Sequence, residues 1–208
     1  MFCIIDCNLG NLRNVQKAFE RLGIRAGISS KKEELESAQA IILPGVGAFG
    51  DAIANLQALH LIESIREQVL HKKKPIFGIC LGMQLFGEES YERGHYRGLG
   101  LLPMSIQRLQ PKEKLPVPHV GWDDITVKNN SSLLAGLPEN PDFYFVHSFH
   151  AACNSPEIVA AMCDYGGEFV AAVQWGNIFA TQFHPEKSQA SGLKVLANFA
   201  KIVGEQKC

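Results

Sequence analysis

The first half of the chain alternates between short apolar runs and stretches with helical spacing of apolar residues, and this alternation constrains the fold most strongly. Four apolar runs have the length and composition of buried strands: residues 2–6, 24–28, 40–43 and 76–79. Helical spacing occurs over residues 12–22 and, as one long helix, over residues 49–69. Alternating strands and helices predict a mostly parallel open sheet with helices on both faces.

The second half contains strand-like runs with few helices between them, which predicts an antiparallel strand region beside the parallel sheet. These runs are residues 104–109, 124–127, 143–146, 158–163, 170–174 and 178–183. Helical spacing returns over residues 193–203, where we expect a final helix. No repeat, low-complexity tract or long linker divides the sequence, so we predict one α/β domain over residues 1–208.

Charge and hydropathy exclude several classes of function. The net charge is −1, without the basic excess that is typical of nucleic-acid-binding proteins. No apolar run approaches the roughly 20 residues needed to cross a bilayer. Residues 1–6 lead directly into a strand, without a signal-type segment. We therefore expect a cytoplasmic protein that binds neither nucleic acid nor membrane.

The cysteines show no pattern of a metal site or a disulfide framework. There are six: Cys3, Cys7, Cys80, Cys153, Cys163 and Cys208. None forms a C-x-x-C pair or a compact Cys/His cluster, so we predict neither bound metal nor disulfides. Five are interpreted as structural or incidental, and only Cys80 has a local context that indicates chemistry.

That context is the G-x-C-x-G pattern of residues 78–82, which follows a predicted strand and precedes a helical run. The same frame with serine is a nucleophile elbow, a tight turn that exposes a side chain at the amino end of a helix. Such an end favours the thiolate form of a cysteine, which is the reactive form. The alternative is a buried cysteine between two glycines that serve packing only.

His184 and Glu186 are the candidate base and its orienting partner. His184 follows the strand predicted over residues 178–183, and Pro185 stiffens the link to Glu186. Residues i and i+2 of an extended segment face the same side, so both side chains can face one cleft. A carboxylate beside a histidine fixes its tautomer and stabilises the imidazolium. The alternative is that Glu186 caps a helix and His184 has no functional role. Another histidine, His119, lies in sequence that is typical of a loop.

The turn at residues 44–47, with the sequence PGVG, also follows a predicted strand. Glycines on both sides of Val46 allow its backbone amide to turn towards a ligand or away from it. Together with the amide of Leu81, the Val46 amide could form an oxyanion hole. The alternative is an ordinary turn that ends a strand.

Taken together, these segments resemble the class I, triad-type glutamine amidotransferases. The resemblance runs over nearly the whole chain, through residues 10–12, 44–47, 78–84, 118–122, 144–148 and 182–188. The elbow and His-Pro-Glu are common to many amidotransferases. The segments at 44–47, 118–122 and 144–148 are similar to a subfamily that supplies ammonia to a cyclase in histidine biosynthesis.

The resemblance implies a mechanism and a set of site residues. Cys80 attacks the side-chain amide of glutamine, His184 moves the protons, and Glu186 holds His184. The residues implied around bound glutamine are Gly47, Gln84, Ser148 and Phe149. No cofactor or metal is implied, because the thiol supplies the chemistry.

The resemblance also implies a heterodimer. The partner is a (β/α)₈-barrel cyclase that receives ammonia through a tunnel, and the positions expected near it are Trp122, Tyr144 and Lys187. Because residues 45 and 47 are glycines, the turn around Val46 can flip easily. We expect its amide to point away from the oxyanion site until the partner binds, which would leave the isolated chain nearly inactive.

Three residues depart from the subfamily pattern: Cys7 near the start, Asp123 where asparagine is common and Phe149 where tyrosine is common. They leave open a paralogue that feeds ammonia to a related partner in surface-polysaccharide sugar synthesis. Two further alternatives are a non-catalytic module that stabilises a partner and a free-standing cysteine hydrolase.

Overall fold

The computed structural model describes residues 1–112 and 114–205, and the Cys208 assignment therefore lies outside the described residues. The first half contains β1 (Phe2–Ile5), α1 (Leu12–Arg21), β2 (Ala26–Ser29), α2 (Lys32–Ser37), β3 (Ala40–Gly45), α3 (Phe49–Ala58), α4 (Ile62–Arg66), β4 (Ile76–Cys80) and α5 (Leu81–Leu85). The second half contains β5 (Glu89–Ser90), β6 (Tyr96–Arg97), β7 (Met104–Arg108), β8 (His119–Asp124), β9 (Thr126–Val127), β10 (Asp142–His147), β11 (Phe149–Cys153), β12 (Val159–Asp164), β13 (Glu168–Trp175), β14 (Ile178–Thr181) and α6 (Gln189–Glu205).

Eight strands form the main sheet, in the order β2-β1-β3-β4-β14-β13-β12-β9. The pairs from β2 to β14 are parallel, and those from β14 to β9 are antiparallel. Helices cover both faces, with α1 and α6 on one and α2, α3 and α4 on the other. The predicted fold class, a mostly parallel open sheet with an antiparallel region, is confirmed.

Two smaller sheets lie beside the main one. One pairs β8 with β10, and the other has the order β11-β7-β5-β6. Strands β10 and β11 are joined at Ser148, so the two small sheets share one chain connection. This region supplies a wall that faces the carboxyl ends of β3 and β4, as the lining of the cavity described below shows.

The parallel strands β3, β4 and β14 are adjacent, and this adjacency positions the site. Gly45 pairs with Cys80 across β3 and β4, and Ile79 pairs with Thr181 across β4 and β14. Parallel neighbours end at the same edge of a sheet. The PGVG turn, Cys80 and the segment that leads to His184 therefore meet at one edge.

Several local predictions were wrong. The single helix over residues 49–69 is two helical segments, because His60 adopts a φ of 55° and ends α3. The second segment continues from α4 as a π-helix over Glu67–His71. A left-handed residue is a common helix terminator, and apolar spacing that continues past it hides the break. His119 lies in strand β8 and is buried, not in a loop. Helix α2 and the strands β5, β6, β8 and β11 were not predicted.

Candidate active site

Cys80 occupies a strained turn between β4 and α5, with a φ of 54° and a ψ of −106°. Only glycine fits beside it. A Cβ on Gly82 would lie 1.7 Å from the Leu43 carbonyl oxygen, and one on Gly78 would lie 2.8 Å from the Phe86 ring. The two glycines thus let the strand and helix pack closely enough to hold Cys80 in a conformation that costs on the order of 1–3 kcal/mol.

His184 and Glu186 form a fully buried pair. His184 Nδ1 donates to Glu186 Oε1 at 2.8 Å, and both side chains have no solvent exposure. Asn11, at the start of α1, donates from Nδ2 to the same Oε1 at 2.6 Å. Burial raises the pKa of Glu186, but His184 and Asn11 outweigh it and hold the pKa below its usual range. Glu186 is therefore a carboxylate that fixes the His184 tautomer.

Cys80 and His184 are close neighbours across β4 and β14. Burial lowers the pKa of His184, but interaction with Cys80 and then with Glu186 outweighs it and raises the pKa to about 9. Nε2 of His184 makes no hydrogen bond within residues 1–112 and 114–205, so the thiol and the imidazole are in proximity but not hydrogen-bonded here. The arrangement places an unpaired imidazole nitrogen beside a sulfur atom, as a thiol–imidazole couple requires.

A cavity of about 250 Å³ opens above Cys80. Its walls contain six of the residues predicted to surround glutamine or its oxyanion: Val46, Gly47, Leu81, Gln84, Ser148 and Phe149. The structure therefore brings these positions together with Cys80. Glu92, which the sequence did not point to, also lines the cavity and accepts a hydrogen bond from the Phe49 amide at 2.8 Å.

The two oxyanion candidates differ in the state of their amides. Leu81 is the first residue of α5, so its N–H has no partner within the helix. The Val46 amide instead donates to the Leu9 carbonyl at 3.2 Å. Gly47 follows with a φ of 122°, which favours glycine. In this structure Val46 does not offer its N–H to the cavity.

The three predicted partner-facing residues form one surface patch. Trp122 is exposed and its ring lies 6.0 Å from that of Tyr144, with Lys187 Nζ 5.4 Å from the centre of the Tyr144 ring. The patch is joined to the site through Ser188. The Tyr144 amide donates to the Ser188 hydroxyl at 3.0 Å, and that hydroxyl donates to the His184 carbonyl at 2.6 Å.

A buried histidine pair lies behind the cavity wall. His119 Nδ1 is 3.3 Å from His147 Nε2, and His119 Nε2 is 2.6 Å from Asp123 Oδ2. Burial lowers the pKa of His119 and lowers that of His147 to about 3. His147 Nδ1 donates to the Phe149 carbonyl at 2.9 Å, so His147 supports the backbone of the cavity wall.

Residue-level reasoning from the sequence missed four contributors: Asn11, Glu92, the His119–His147 pair and Gln182, whose Nε2 lies 3.7 Å from Cys80 Sγ. Asn11, Gln182 and both histidines lie within the segments on which the resemblance rests. The resemblance therefore pointed to these positions, but it implied no role for them. Glu92 lies outside those segments and had no signal. Within the described ranges, no group of three or more His, Cys, Asp or Glu side chains is placed to hold a metal ion.

Comparison with known proteins agrees with this fold. The family model for glutamine amidotransferase class-I matches residues 3–203, and the chain belongs to that family. A crystal structure of a glutamine amidotransferase superposes with a TM-score of 0.74 at 23% identity, covering 97% of this chain and 98% of that one. At that identity, the likeness supports the fold alone.

Two curated relatives place the chain more finely. Imidazole glycerol phosphate synthase subunit HisH 1 of Campylobacter jejuni is 47% identical over 97% of this chain and 100% of its own length. Subunit HisH of Rhodopirellula baltica is 46% identical, covering 96% of this chain and 97% of its own length. Within the family, the chain groups with the HisH subunits.

Proposed function

We propose that this chain is the glutamine-hydrolysing subunit of an imidazole glycerol phosphate synthase, and that Cys80, His184 and Glu186 form its catalytic triad. The observation that carries the proposal is that Cys80, which lines the cavity, lies beside the buried His184–Glu186 pair, at the ends of adjacent parallel strands. The HisH relatives supply the assignment to this enzyme.

The triad divides the chemistry into two steps. In the first, the Cys80 sulfur attacks the side-chain carbonyl carbon of glutamine, and His184 gives its Nε2 proton to the departing nitrogen as the C–N bond breaks. Ammonia leaves and a glutamyl thioester remains on Cys80. In the second, His184 takes a proton from water, which attacks the thioester and releases glutamate, restoring the sulfur as leaving group.

Recognition of glutamine follows from the lining of the cavity. The Glu92 carboxylate suits the α-ammonium group of the substrate, while backbone groups of Gly47, Ser148 and Phe149 can bind its polar atoms. Both N–H groups of Gln84 are already engaged, with the Phe149 carbonyl and Gln182 Oε1. Gln84 therefore contacts glutamine through its own carbonyl oxygen.

The partner we propose is a (β/α)₈-barrel cyclase that docks on the patch of Trp122, Tyr144 and Lys187. It uses the ammonia to convert a phosphoribosyl-formimino-aminoimidazole carboxamide ribonucleotide into imidazole glycerol phosphate and aminoimidazole carboxamide ribonucleotide. Trp122 is exposed and Tyr144 is half-buried, and tryptophan and tyrosine are enriched at protein–protein interfaces. We place the complex in the cytoplasm; no helix within the described residues has both the length and the apolarity for crossing a membrane.

We further propose that the partner activates the site by turning the Val46 amide. The hydrogen bond from Val46 to the Leu9 carbonyl supports this, since it occupies the N–H that an oxyanion would need. Loss of one oxyanion donor costs roughly 100–1,000-fold in kcat. We expect the isolated chain to hydrolyse glutamine at least about 100-fold more slowly than the complex.

The test combines the purified chain with its cyclase subunit, glutamine and the formimino ribonucleotide. We expect glutamate and imidazole glycerol phosphate to form together, and Cys80→Ala to abolish both. Product formation by Cys80→Ala would instead identify a partner-stabilising module. Glutamate release without conversion of this ribonucleotide would favour the paralogue, and full activity of the chain alone would favour a free-standing hydrolase.

A further inference from the structure

Gln182 lies between β14 and His184, and the proposed mechanism gives it no role. Its side chain is 0% exposed, although a buried amide is costly unless it is hydrogen-bonded. Gln182 Nε2 lies 3.7 Å from Cys80 Sγ, within hydrogen-bonding range of a sulfur acceptor. A neutral donor thus faces the nucleophile from the segment after β14 that also carries His184.

A short chain of hydrogen bonds fixes which end of this amide faces the sulfur. The Phe149 carbonyl can only accept, so the Gln84 group 2.9 Å from it must be Nε2. That nitrogen also lies 3.1 Å from Gln182, and a donor must meet the acceptor Oε1 there. Gln182 therefore turns its own N–H groups towards Cys80.

The direction of this donor has a consequence for the thiol. A hydrogen bond that is donated to the sulfur favours the thiolate over the thiol, since only the anion accepts strongly. The amide does not titrate, so its effect is present at every pH. The titratable groups around the same sulfur are His184 with Glu186 behind it, His147 from β10 and Glu92 from the loop after β5.

We propose that Gln182 is a positioning residue that holds Cys80 Sγ beside His184 and stabilises its anionic form. Gln84 orients Gln182 and so ties the sulfur to the backbone at Phe149, where the cavity wall begins. The inference rests on the proposed role of Cys80 as nucleophile. It adds a fourth side chain to the three of the triad.

The test is the rate of Cys80 alkylation by iodoacetamide as a function of pH, followed by mass spectrometry of the Cys80 peptide. Gln182→Met removes the donor at similar size, and Gln182→Glu keeps the shape but presents an acceptor. We expect the midpoint of the profile to move up by about one pH unit in Gln182→Met, and further in Gln182→Glu, as expected for loss of a charge-assisted hydrogen bond. Gln84→Met should give a smaller shift in the same direction.

The matched control is Asn198→Leu, which removes a buried amide of α6 that donates to the Leu133 and Ala135 carbonyls, away from the cavity. Its alkylation profile should overlay that of the wild type. In the cyclase complex, Gln182→Met should lower kcat at least about tenfold with KM little changed. Folded Gln182 and Gln84 variants with wild-type profiles would overturn the inference while leaving the triad intact, whereas glutamine hydrolysis by Cys80→Ala would overturn the proposed function itself.

Discussion

The effect of burial on the pKa of a side chain in this protein depends on the charged and polar groups beside it. Burial raises the pKa of Cys7 and Cys163 to about 12, and neighbouring aspartates add to the rise, so these thiols stay protonated at neutral pH. Burial also lowers the pKa of His184, but Cys80 and Glu186 raise it to about 9. The same desolvation therefore leaves two inert thiols in the core and one imidazole that can hold a proton.

The carboxylate of Glu186 is predicted to be essential for turnover. In Glu186→Gln, the amide can still accept from Asn11 through its oxygen, but it no longer stabilises the imidazolium. We expect kcat for glutamine in the cyclase complex to fall by about 100-fold or more. Glu205→Gln, an exposed position at the end of α6, is the control and should be unchanged. A Glu186→Gln complex with wild-type kcat would contradict the assignment.

The buried pair also predicts how stability depends on pH. The pKa of His184 is raised from 6.5 to about 9. The stability that protonated His184 contributes is therefore fully present below about pH 6.5 and is lost as the pH rises through about 9. The pKa of Glu186 is lowered from 4.5, so its contribution is present above 4.5 and is lost as pH falls further.

The stability gap between wild type and Glu186→Gln should therefore be widest between about pH 5 and 7 and should narrow towards pH 10. Urea unfolding of both proteins at several pH values measures it. A gap that is independent of pH would show that the pair is not ionised.

Residue types at the site could be read from the sequence because each follows a strand-like run. Cys80, His184 and Glu186 were selected this way, and the structure places all three together. Their partners could not be selected so. Asn11 reaches Glu186 across 175 positions of sequence, and Gln182 faces Cys80 across 102, so only tertiary packing reveals those contacts.

The ends of secondary-structure elements determine where the residues of the candidate active site lie. Strands β3, β4 and β14 were predicted as separate apolar runs, but their order in the sheet depends on pairing between distant segments. The break between α3 and α4 and the extended path of β8 were missed because local apolar spacing was ambiguous there. Elements with strong periodicity were predictable, and their neighbours in the sheet were not.

The elbow between β4 and α5 is predicted to tolerate no side chain at Gly82. A methyl group there would lie 1.7 Å from the backbone oxygen of Leu43, which cannot move without breaking the sheet. We expect Gly82→Ala to lower the free energy of unfolding by about 3 kcal/mol or more, or to prevent folding.

Gly204→Ala in α6 is the matched control, since no atom of the described residues lies within 4 Å of its added Cβ. It should be neutral or slightly stabilising, because alanine favours helix over glycine by about 1 kcal/mol. Chemical denaturation of the two variants beside the wild type decides the matter; equal stabilities for both would contradict the packing account of the elbow.

At the scale of the whole molecule, one eight-stranded sheet runs from β2 to β9 and carries core residues on both faces. The class of fold was accessible from the sequence because alternation of strands and helices allows few architectures. We propose that residues 1–208 act as a single domain. The small sheets then move with the main sheet and keep the cavity wall in place.

A single domain predicts one cooperative unfolding transition. Far-ultraviolet circular dichroism and tryptophan fluorescence should give coincident midpoints, because Trp122 and Trp175 report on different sheets. Two separated transitions would show instead that the β8–β10 region unfolds independently of the main sheet.

The central claim is that Cys80 forms a covalent intermediate while His184 serves as its proton carrier. Rapid acid quenching of the cyclase complex during glutamine turnover, followed by mass spectrometry, tests it directly. We predict a glutamyl adduct on the Cys80 peptide in the wild type and none in His184→Ala, where glutamate release also stops. Continued turnover with no adduct at Cys80, or an adduct on another residue, would contradict the account.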